Sequence, residues 1–206
     1  MKTRTSLFLL ALGALLALSA CTFNGKSISS PPFDEVLYSR RSIRSYDPSQ
    51  PITEGEVRHL LRAVQEAPSW ANRQPTRYYV AISDAKRQAV LDLIGGNKER
   101  VADAPVLIVS TFEKGQSGFF RGMQTNEVGD GWGAYDCGLS NCYLILIARS
   151  MGFDTLIMGM RDADGLRALF NIPESETIMP VIALGYRAQE PSRPERKKLD
   201  EIVTFF

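Results

Sequence analysis

Two short segments of the chain carry side chains that suit a polar, anionic ligand. Residues 40–44 read Arg-Arg-Ser-Ile-Arg, which places three guanidinium groups and one hydroxyl within five positions. A guanidinium group is permanently charged, and its fixed fork of donors matches phosphate oxygens and the polar edges of a ring. The alternative is a basic helix end that is only a solvated face.

The second segment, residues 67–75, follows one helix later and reads Ala-Pro-Ser-Trp-Ala-Asn-Arg-Gln-Pro. Its prolines predict a turn, in which Ser69, Asn72 and Gln74 supply neutral donors and acceptors. Such a turn suits a flat heteroaromatic ligand, and a polar loop that binds nothing is the alternative.

In this order, the two segments resemble those of the FMN-dependent nitroreductase family, and the likeness runs from about Phe33 to the C-terminus. The resemblance implies an α+β fold with a mostly antiparallel central sheet flanked by helices, in an intertwined homodimer. It also implies FMN as cofactor and an oxidoreductase that works by a ping-pong scheme. The flavin N5 would pass electrons or hydride from a small donor to an acceptor such as a nitroaromatic or a quinone.

The family's site residues can be placed on this sequence one by one. The resemblance assigns the phosphate or ribityl chain to the outer arginines of the first segment, and the N1/O2 edge of the flavin to Arg44. It places the turn residues against the flavin of the partner subunit, Asn97 and Arg100 beside the ring, and the backbone at Met158 and Gly159 near N5. The full set of expected FMN-binding residues is Arg40, Arg41, Ser42, Arg44, Pro68, Ser69, Trp70, Asn72, Asn97, Arg100, Met158, Gly159, Arg196 and Lys198.

The flavin itself carries the hydride chemistry, so no catalytic side chain is expected. Two positions depart from the family pattern. Thr76 stands where an aromatic residue is frequent after Gln-Pro, and Trp70 stands where a small residue is common. Substrate preference is therefore not carried over from the family.

The N-terminus predicts a lipoprotein signal peptide over residues 1–20. Lys2 and Arg4 precede a short apolar stretch, and Leu18-Ser19-Ala20-Cys21 resembles a bacterial lipobox. Cys21 would carry the lipid, residues 21–32 would form a tether, and residues 33–206 would form the FMN-binding domain. Thr22, where Asp would signal retention at the inner membrane, favours the outer membrane facing the periplasm. An uncleaved anchor helix is the alternative.

The remaining composition excludes several other kinds of site. The sequence has 24 basic and 23 acidic residues, and two of the basic ones, Lys2 and Arg4, belong to the predicted signal peptide. The rest of the chain is therefore close to neutral, so a nucleic-acid partner is not expected. No metal-ligand spacing is present, and His59 is expected to be structural or solvated. Cys137 and Cys142, five positions apart in a predicted helix, are too distant for a disulfide and are expected to be small buried residues.

Periodicity predicts intermixed helices and strands, hence the α+β class. A capping box at residues 53–56 begins one helix, and the apolar run from Val106 predicts a central strand. The helix from Gly131 to Met151, with Asp130 as candidate cap, is apolar around too much of its circumference for a monomer surface. A homodimer accounts for this, with a wholly buried helix in a monomer as the alternative. Residues 202–206 predict an apolar strand that completes the partner's sheet.

Two alternatives to turnover of a nitroaromatic or quinone remain open. One is a flavin-binding electron-relay lipoprotein with little turnover of its own. The other is a branch of the family that carries out reductive elimination or dehydrogenation. The expected location adds a difficulty, because NAD(P)H belongs to the cytoplasm, so another envelope reductant is a candidate donor.

Overall fold

The computed structural model describes residues 31–206 in full and, before them, only the backbone of two short strands, β1 (Thr22–Phe23) and β2 (Lys26–Ser27), which pair antiparallel. The predicted signal peptide, Cys21 and part of the predicted tether therefore lie outside the described residues. The chain divides into two units, Met1–Ser30 and Pro31–Phe206. Within the described residues, no helix combines the length and the apolar composition that crossing a membrane requires.

The larger unit mixes helices and strands, as the periodicity predicts. Its helices are α1 (Phe33–Ser39), α2 (Glu54–Val64), α3 (Asp84–Leu91), α4 (Lys98–Val101), α5 (Gly131–Ser150) and α6 (Ala163–Phe170). Its strands are β3 (Thr76–Ala81), β4 (Val106–Glu113), β5 (Phe119–Phe120), β6 (Met123–Gln124), β7 (Asp154–Met158) and β8 (Glu176–Gly185).

A four-stranded antiparallel sheet in the order β3-β4-β8-β7 forms the centre of this unit. Successive residues of β4 are buried on opposite faces of the sheet, as strand geometry requires. Leu107 packs with residues of α3 and α6, whereas Ile108 packs with residues of α2 and α5. The sheet is therefore covered by helices on both faces, which confirms the predicted α+β class and the central position of β4.

Helix α2 begins where the sequence predicts. The Thr53 side chain accepts a hydrogen bond from the Glu56 backbone N–H, and the Glu56 carboxylate accepts one from the Thr53 backbone N–H at 2.7 Å. This capping box satisfies two backbone donors that the first helical turn leaves unpaired.

Helix α5 lies against the sheet through small and polar contacts. At Gly133 a Cβ atom would stand 2.4 Å from the Phe112 ring, so only glycine lets the ring approach this closely. The Asn141 amide donates to Ser110 Oγ at 3.0 Å and accepts from the Tyr78 hydroxyl at 3.2 Å. These bonds satisfy the buried polar groups and fix the position of α5 on β3 and β4.

One side of α5 is exposed in the single chain, and its residues include Gly131, Tyr135, Gly138, Cys142 and Tyr143. We call these residues the α5 stripe. The alternative of a wholly buried helix in a monomer is therefore wrong for this chain, and so is the prediction that Cys142 is buried; Cys137 is buried as predicted.

Two further expectations need correction. Asp130 stands at the N-cap position of α5, but its side chain accepts a hydrogen bond from the Gly115 backbone N–H rather than from the helix. Residues 202–206 form no strand in the described chain, and Phe205 and Phe206 are fully exposed. A strand needs a neighbouring strand edge for its backbone hydrogen bonds, and this segment pairs with none among the described residues.

Candidate functional site

The arginine segment, residues 40–44, lies in extended conformation along the outer edge of β7. Helix α1 ends at Ser39 because Arg40 takes an extended ψ of 130°. The Ile43 N–H then donates to the Thr155 carbonyl at 3.0 Å, and the Ile43 side chain is buried. Since neighbouring side chains of an extended chain point to opposite sides, burial of Ile43 leaves Ser42 and Arg44 exposed.

Three guanidinium groups meet at the start of this segment. Burial, and then the positive charges of Arg196 and Arg41, lower the pKa of the Arg40 guanidinium below its usual range. The Nε atom of Arg41 is buried without a hydrogen-bond partner, although its Nη1 donates to the Tyr38 carbonyl at 2.7 Å. Three like charges with an unpaired buried donor form a site that an anion would stabilise. We call Arg40, Arg41 and Arg196 the guanidinium cluster.

Lys198 does not join this cluster by any contact in the described chain. Its backbone N–H donates instead to the Glu201 carboxylate at 2.9 Å, at the start of the short helical turn Leu199–Glu201. The structure thus brings Arg196, but not Lys198, to the arginine segment.

A buried ionic network holds the end of α1, directly before the cluster. Arg187 donates to the Asp154 carboxylate at 2.7 and 2.5 Å and to the Ser39 carbonyl at 3.1 Å. Arg149 donates to Ser39 Oγ at 2.9 Å and lies 3.6 Å from Asp154. The sequence analysis missed these three charged residues, because Arg149 and Arg187 meet at Ser39 across 110 and 148 positions of the chain and no local pattern links them.

The predicted turn, residues 67–75, is strained and internally bonded. Ala71, Asn72 and Gln74 all have positive φ values, of 46°, 54° and 49°, which non-glycine residues rarely adopt. Ser69 Oγ accepts from the Gln74 N–H at 2.9 Å, and the Gln74 amide donates to Asn72 Oδ1 at 3.1 Å. Gln74 therefore shapes the turn.

Asp136 of α5 holds this turn in place by a hydrogen bond. The sequence analysis also missed this residue. Its Oδ2 accepts from the Trp70 N–H at 2.9 Å and from Ser117 Oγ at 2.5 Å. One buried carboxyl group thus joins the turn to the loop that follows β4.

The remaining predicted residues lie on two neighbouring segments of the chain. The segment after α3 carries Asn97 and Arg100, and the Arg100 Nη1 atom lies 3.4 Å from Asn97 Oδ1. Strand β7 ends at Met158, and the loop after it runs from Gly159 to Met160, whose Sδ would stand 3.2 Å from a Cβ at Gly95. The two segments are therefore adjacent.

The single chain does not bring all predicted residues together. The arginine segment runs along the outer edge of β7, whereas the turn leads into β3. Strands β7 and β3 are the opposite edges of the four-stranded sheet. Three strand spacings of about 4.8 Å separate those edges by roughly 14 Å. A site that uses both groups on one ring would need the turn of a second copy.

The profile of the nitroreductase family matches residues 37–186 of this sequence, which is most of the chain. The chain belongs to the nitroreductase family. This match confirms the family that the arginine segment and the turn together predict.

Nitroreductase relatives and folds cover nearly the same length. The NADH dehydrogenase of Thermus thermophilus is 28% identical, over 80% of this chain and 91% of its own length. The Bacillus subtilis protein YdgI, whose name assigns it provisionally to the NAD(P)H nitroreductases, is 26% identical over 85% of this chain and 98% of its own. Both names are those of oxidoreductases, the enzyme class predicted for this nitroreductase.

The nitroreductase fold is confirmed by solved structures. An Exiguobacterium sibiricum protein in complex with FMN superposes with a TM-score of 0.77 at 22% identity, over 85% of this chain and 98% of that one. The gut-bacterial enone reductase CLA-ER superposes with a TM-score of 0.75 at 19% identity, over 84% and 97% of the two chains. The predicted cofactor is thus the one bound in the first of these folds.

Proposed function

We propose that this chain is a lipid-anchored, homodimeric FMN oxidoreductase that passes electrons from a small donor to a small organic acceptor such as a nitroaromatic or a quinone. The observation that supports it most directly is the guanidinium cluster with the unpaired buried Nε of Arg41. That cluster fits the phosphate of FMN, because it offers several charged donors to one dianionic group.

The other residues of the arginine segment would serve the rest of the cofactor. Ser42 and Arg44 are exposed on the same side of the extended chain, next to the cluster. Arg44 would hold a positive charge at the polar edge of the ring, where it favours the reduced and more negative cofactor. FMN supplies the hydride chemistry in such a protein, so that donor and acceptor use one site in turn.

A second copy of the chain would complete the site. The α5 stripe is exposed, and its glycines allow the backbone of a partner to approach closely. The outer edge of β3 is unpaired in the described chain, and cavities of about 370 and 340 Å³ lie between it and α2. The exposed apolar segment 202–206 of a partner has the character needed to fill that edge.

The anchor sets the context of the reaction. We propose that Cys21 carries the lipid and holds the domain at the periplasmic face of the outer membrane. In that compartment an envelope reductant, rather than NAD(P)H, would be the physiological donor.

The visible spectrum of the purified full-length protein tests the proposal. We expect one FMN per chain, bound at purification or taken up on titration. Arg40→Ala combined with Arg44→Ala should weaken FMN binding by tenfold or more, since each charge-assisted contact contributes roughly 1.5–3 kcal/mol. Arg62→Ala removes one exposed guanidinium from α2 that lines neither cavity, and should leave binding unchanged. A folded, colourless protein that does not bind added FMN would contradict the proposed FMN site.

Reduction kinetics then separate an enzyme from a relay. After the bound flavin is chemically reduced, addition of a nitroaromatic, a quinone or an enone should restore the oxidised spectrum repeatedly. Fast reoxidation by a protein partner alone would favour the electron-relay alternative.

A further inference from the structure

A third cavity lies between the turn and the first turns of α5. Its volume is about 220 Å³, and it is lined by Pro68, Ser69, Trp70, Trp132, Tyr135, Asp136 and Leu139. The rings of Trp132 and Tyr135 meet edge to face, with centroids 5.7 Å apart and planes at 77°. Trp132 is held in place by its indole N–H, which donates to Asn126 Oδ1 at 3.0 Å. We call this space the tryptophan pocket.

The tryptophan pocket contains a buried carboxyl group that has no cationic partner. The Asp136 residue is 2% exposed, and its hydrogen bonds come from the Trp70 N–H and from Ser117 Oγ, both neutral donors. Among residues 31–206, no Lys, Arg or His nitrogen lies within 4.0 Å of it. Buried carboxylates are ordinarily paired with a cation, because removing an isolated charge from water is costly.

The remaining walls favour a cation of a particular kind. The electron-rich faces of tryptophan and tyrosine attract positive charge, and Trp70, Trp132 and Tyr135 together supply three such rings. An inorganic cation would need several oxygen or nitrogen ligands, whereas this pocket offers one carboxyl group and mainly apolar walls. An alkylated ammonium group satisfies both features, since its charge is spread over a methylated surface.

We propose that the tryptophan pocket binds a small organic cation, of the quaternary or alkylated ammonium class. Asp136 would supply the opposite charge, and the three aromatic rings would enclose the alkyl groups. The inference uses no flavin chemistry, although Pro68, Ser69 and Trp70 also belong to the turn that is expected to reach the FMN of the partner subunit. Tyr135 also belongs to the α5 stripe, so in the proposed dimer the pocket would open at the rim of the interface.

Intrinsic fluorescence of the full-length protein is a direct probe, because the two tryptophans of the chain, Trp70 and Trp132, both line the pocket. Choline should change the emission in a saturable way at constant ionic strength. Its neutral isostere 3,3-dimethylbutan-1-ol should bind about tenfold more weakly or not at all.

Two variants separate the charge from the aromatic wall. Asp136→Asn keeps an oxygen that can accept from Trp70 and Ser117 but removes the charge, and should weaken choline binding about tenfold. Tyr135→Leu replaces a largely exposed ring and should also weaken it; this variant carries the test if Asp136→Asn does not fold. Phe33→Leu changes an exposed aromatic ring at the start of α1, outside the pocket and the α5 stripe, and should bind choline like the natural protein.

Equal responses to choline and to its neutral isostere would overturn the proposal, as would unchanged binding in a folded Tyr135→Leu variant. The proposal would also be overturned if the natural protein does not bind choline and the Tyr135→Leu variant self-associates more weakly in sedimentation. In that case the pocket would belong to the contact between two copies.

Discussion

Cys137 shows how a single buried residue sets a measurable pH response. Its thiol donates weakly to Ser110 Oγ and to the Thr111 carbonyl, and burial raises its pKa to about 11 from about 9. The neutral thiol is therefore favoured in the folded state, while the unfolded state loses its proton at lower pH. The protonated Cys137 thiol therefore contributes its full share to the free energy of unfolding below about pH 9, and this contribution is lost as pH rises through about 11.

We expect this residue to contribute roughly 2–3 kcal/mol to the loss of unfolding free energy between pH 9 and 11, at about 1.4 kcal/mol per pKa unit. Urea denaturation of Cys137→Ala across that range should show a shallower decline than the natural protein. Cys142→Ala alters an exposed thiol and should keep the steep decline. Parallel curves for the natural protein and Cys137→Ala would refute this account.

At the scale of elements, α5 has two different tasks on its two sides. One side admits the Phe112 ring at Gly133 and hydrogen-bonds the sheet through Asn141, whereas the other presents the α5 stripe. Around Gly138, no atom lies within 4 Å of a position that a Cβ would occupy. A larger side chain there costs the single chain nothing in packing.

Gly138→Leu therefore tests the stripe as an interface. We expect a folded protein with unchanged or slightly higher helix stability, since leucine favours helices over glycine by roughly 1 kcal/mol. Its dimer, measured by analytical ultracentrifugation, should dissociate at least tenfold more readily, and FMN binding should weaken with it. Gly55→Leu makes the same change at an exposed position of α2 and should leave both unchanged. A Gly138→Leu dimer of full strength would remove the α5 stripe from the interface.

At the scale of the whole molecule, cofactor binding and assembly are expected to be coupled. The arginine segment and the turn lie at opposite edges of the sheet, and Arg196 stands just before the exposed tail. If both groups contact one FMN in the dimer, each equilibrium stabilises the other.

Deletion of residues 199–206 should consequently weaken the dimer and FMN binding together, while Arg196 remains in place. Sedimentation of full-length and truncated protein, each titrated with FMN, measures both effects. Replacing Phe205 and Phe206 by serine should reproduce much of the loss if the tail acts through its apolar side chains. A truncated monomer that binds FMN as tightly as the full chain would contradict the shared site.

The anchor is a property of the whole chain that needs its own test. Cys21→Ser should abolish incorporation of a fatty-acid analogue during growth, because acylation requires the thiol. Buried methylenes contribute about 0.8 kcal/mol each, so the variant should lose this attachment and be found as an uncleaved or soluble form. Equal labelling of both proteins would exclude Cys21 as the lipidation site.

Local sequence determined the elements and the chemistry they carry. The capping box at Thr53 begins α2 because its bonds span three residues, and the apolar run from Val106 forms the central strand because both its faces are buried. The order of the arginine segment and the turn was sufficient to predict the family, since each is a continuous stretch whose residue types suit one ligand.

Tertiary structure decided which distant residues meet. The network of Asp154, Arg149 and Arg187, and the Asp136 contact with Trp70, join segments that are between 5 and 66 positions apart, so no periodic pattern encodes them. Exposure of Cys142 and of the tail likewise depended on which surfaces other elements cover. Propensity and periodicity act over a few residues, whereas these pairings follow from how the whole sheet and its helices pack.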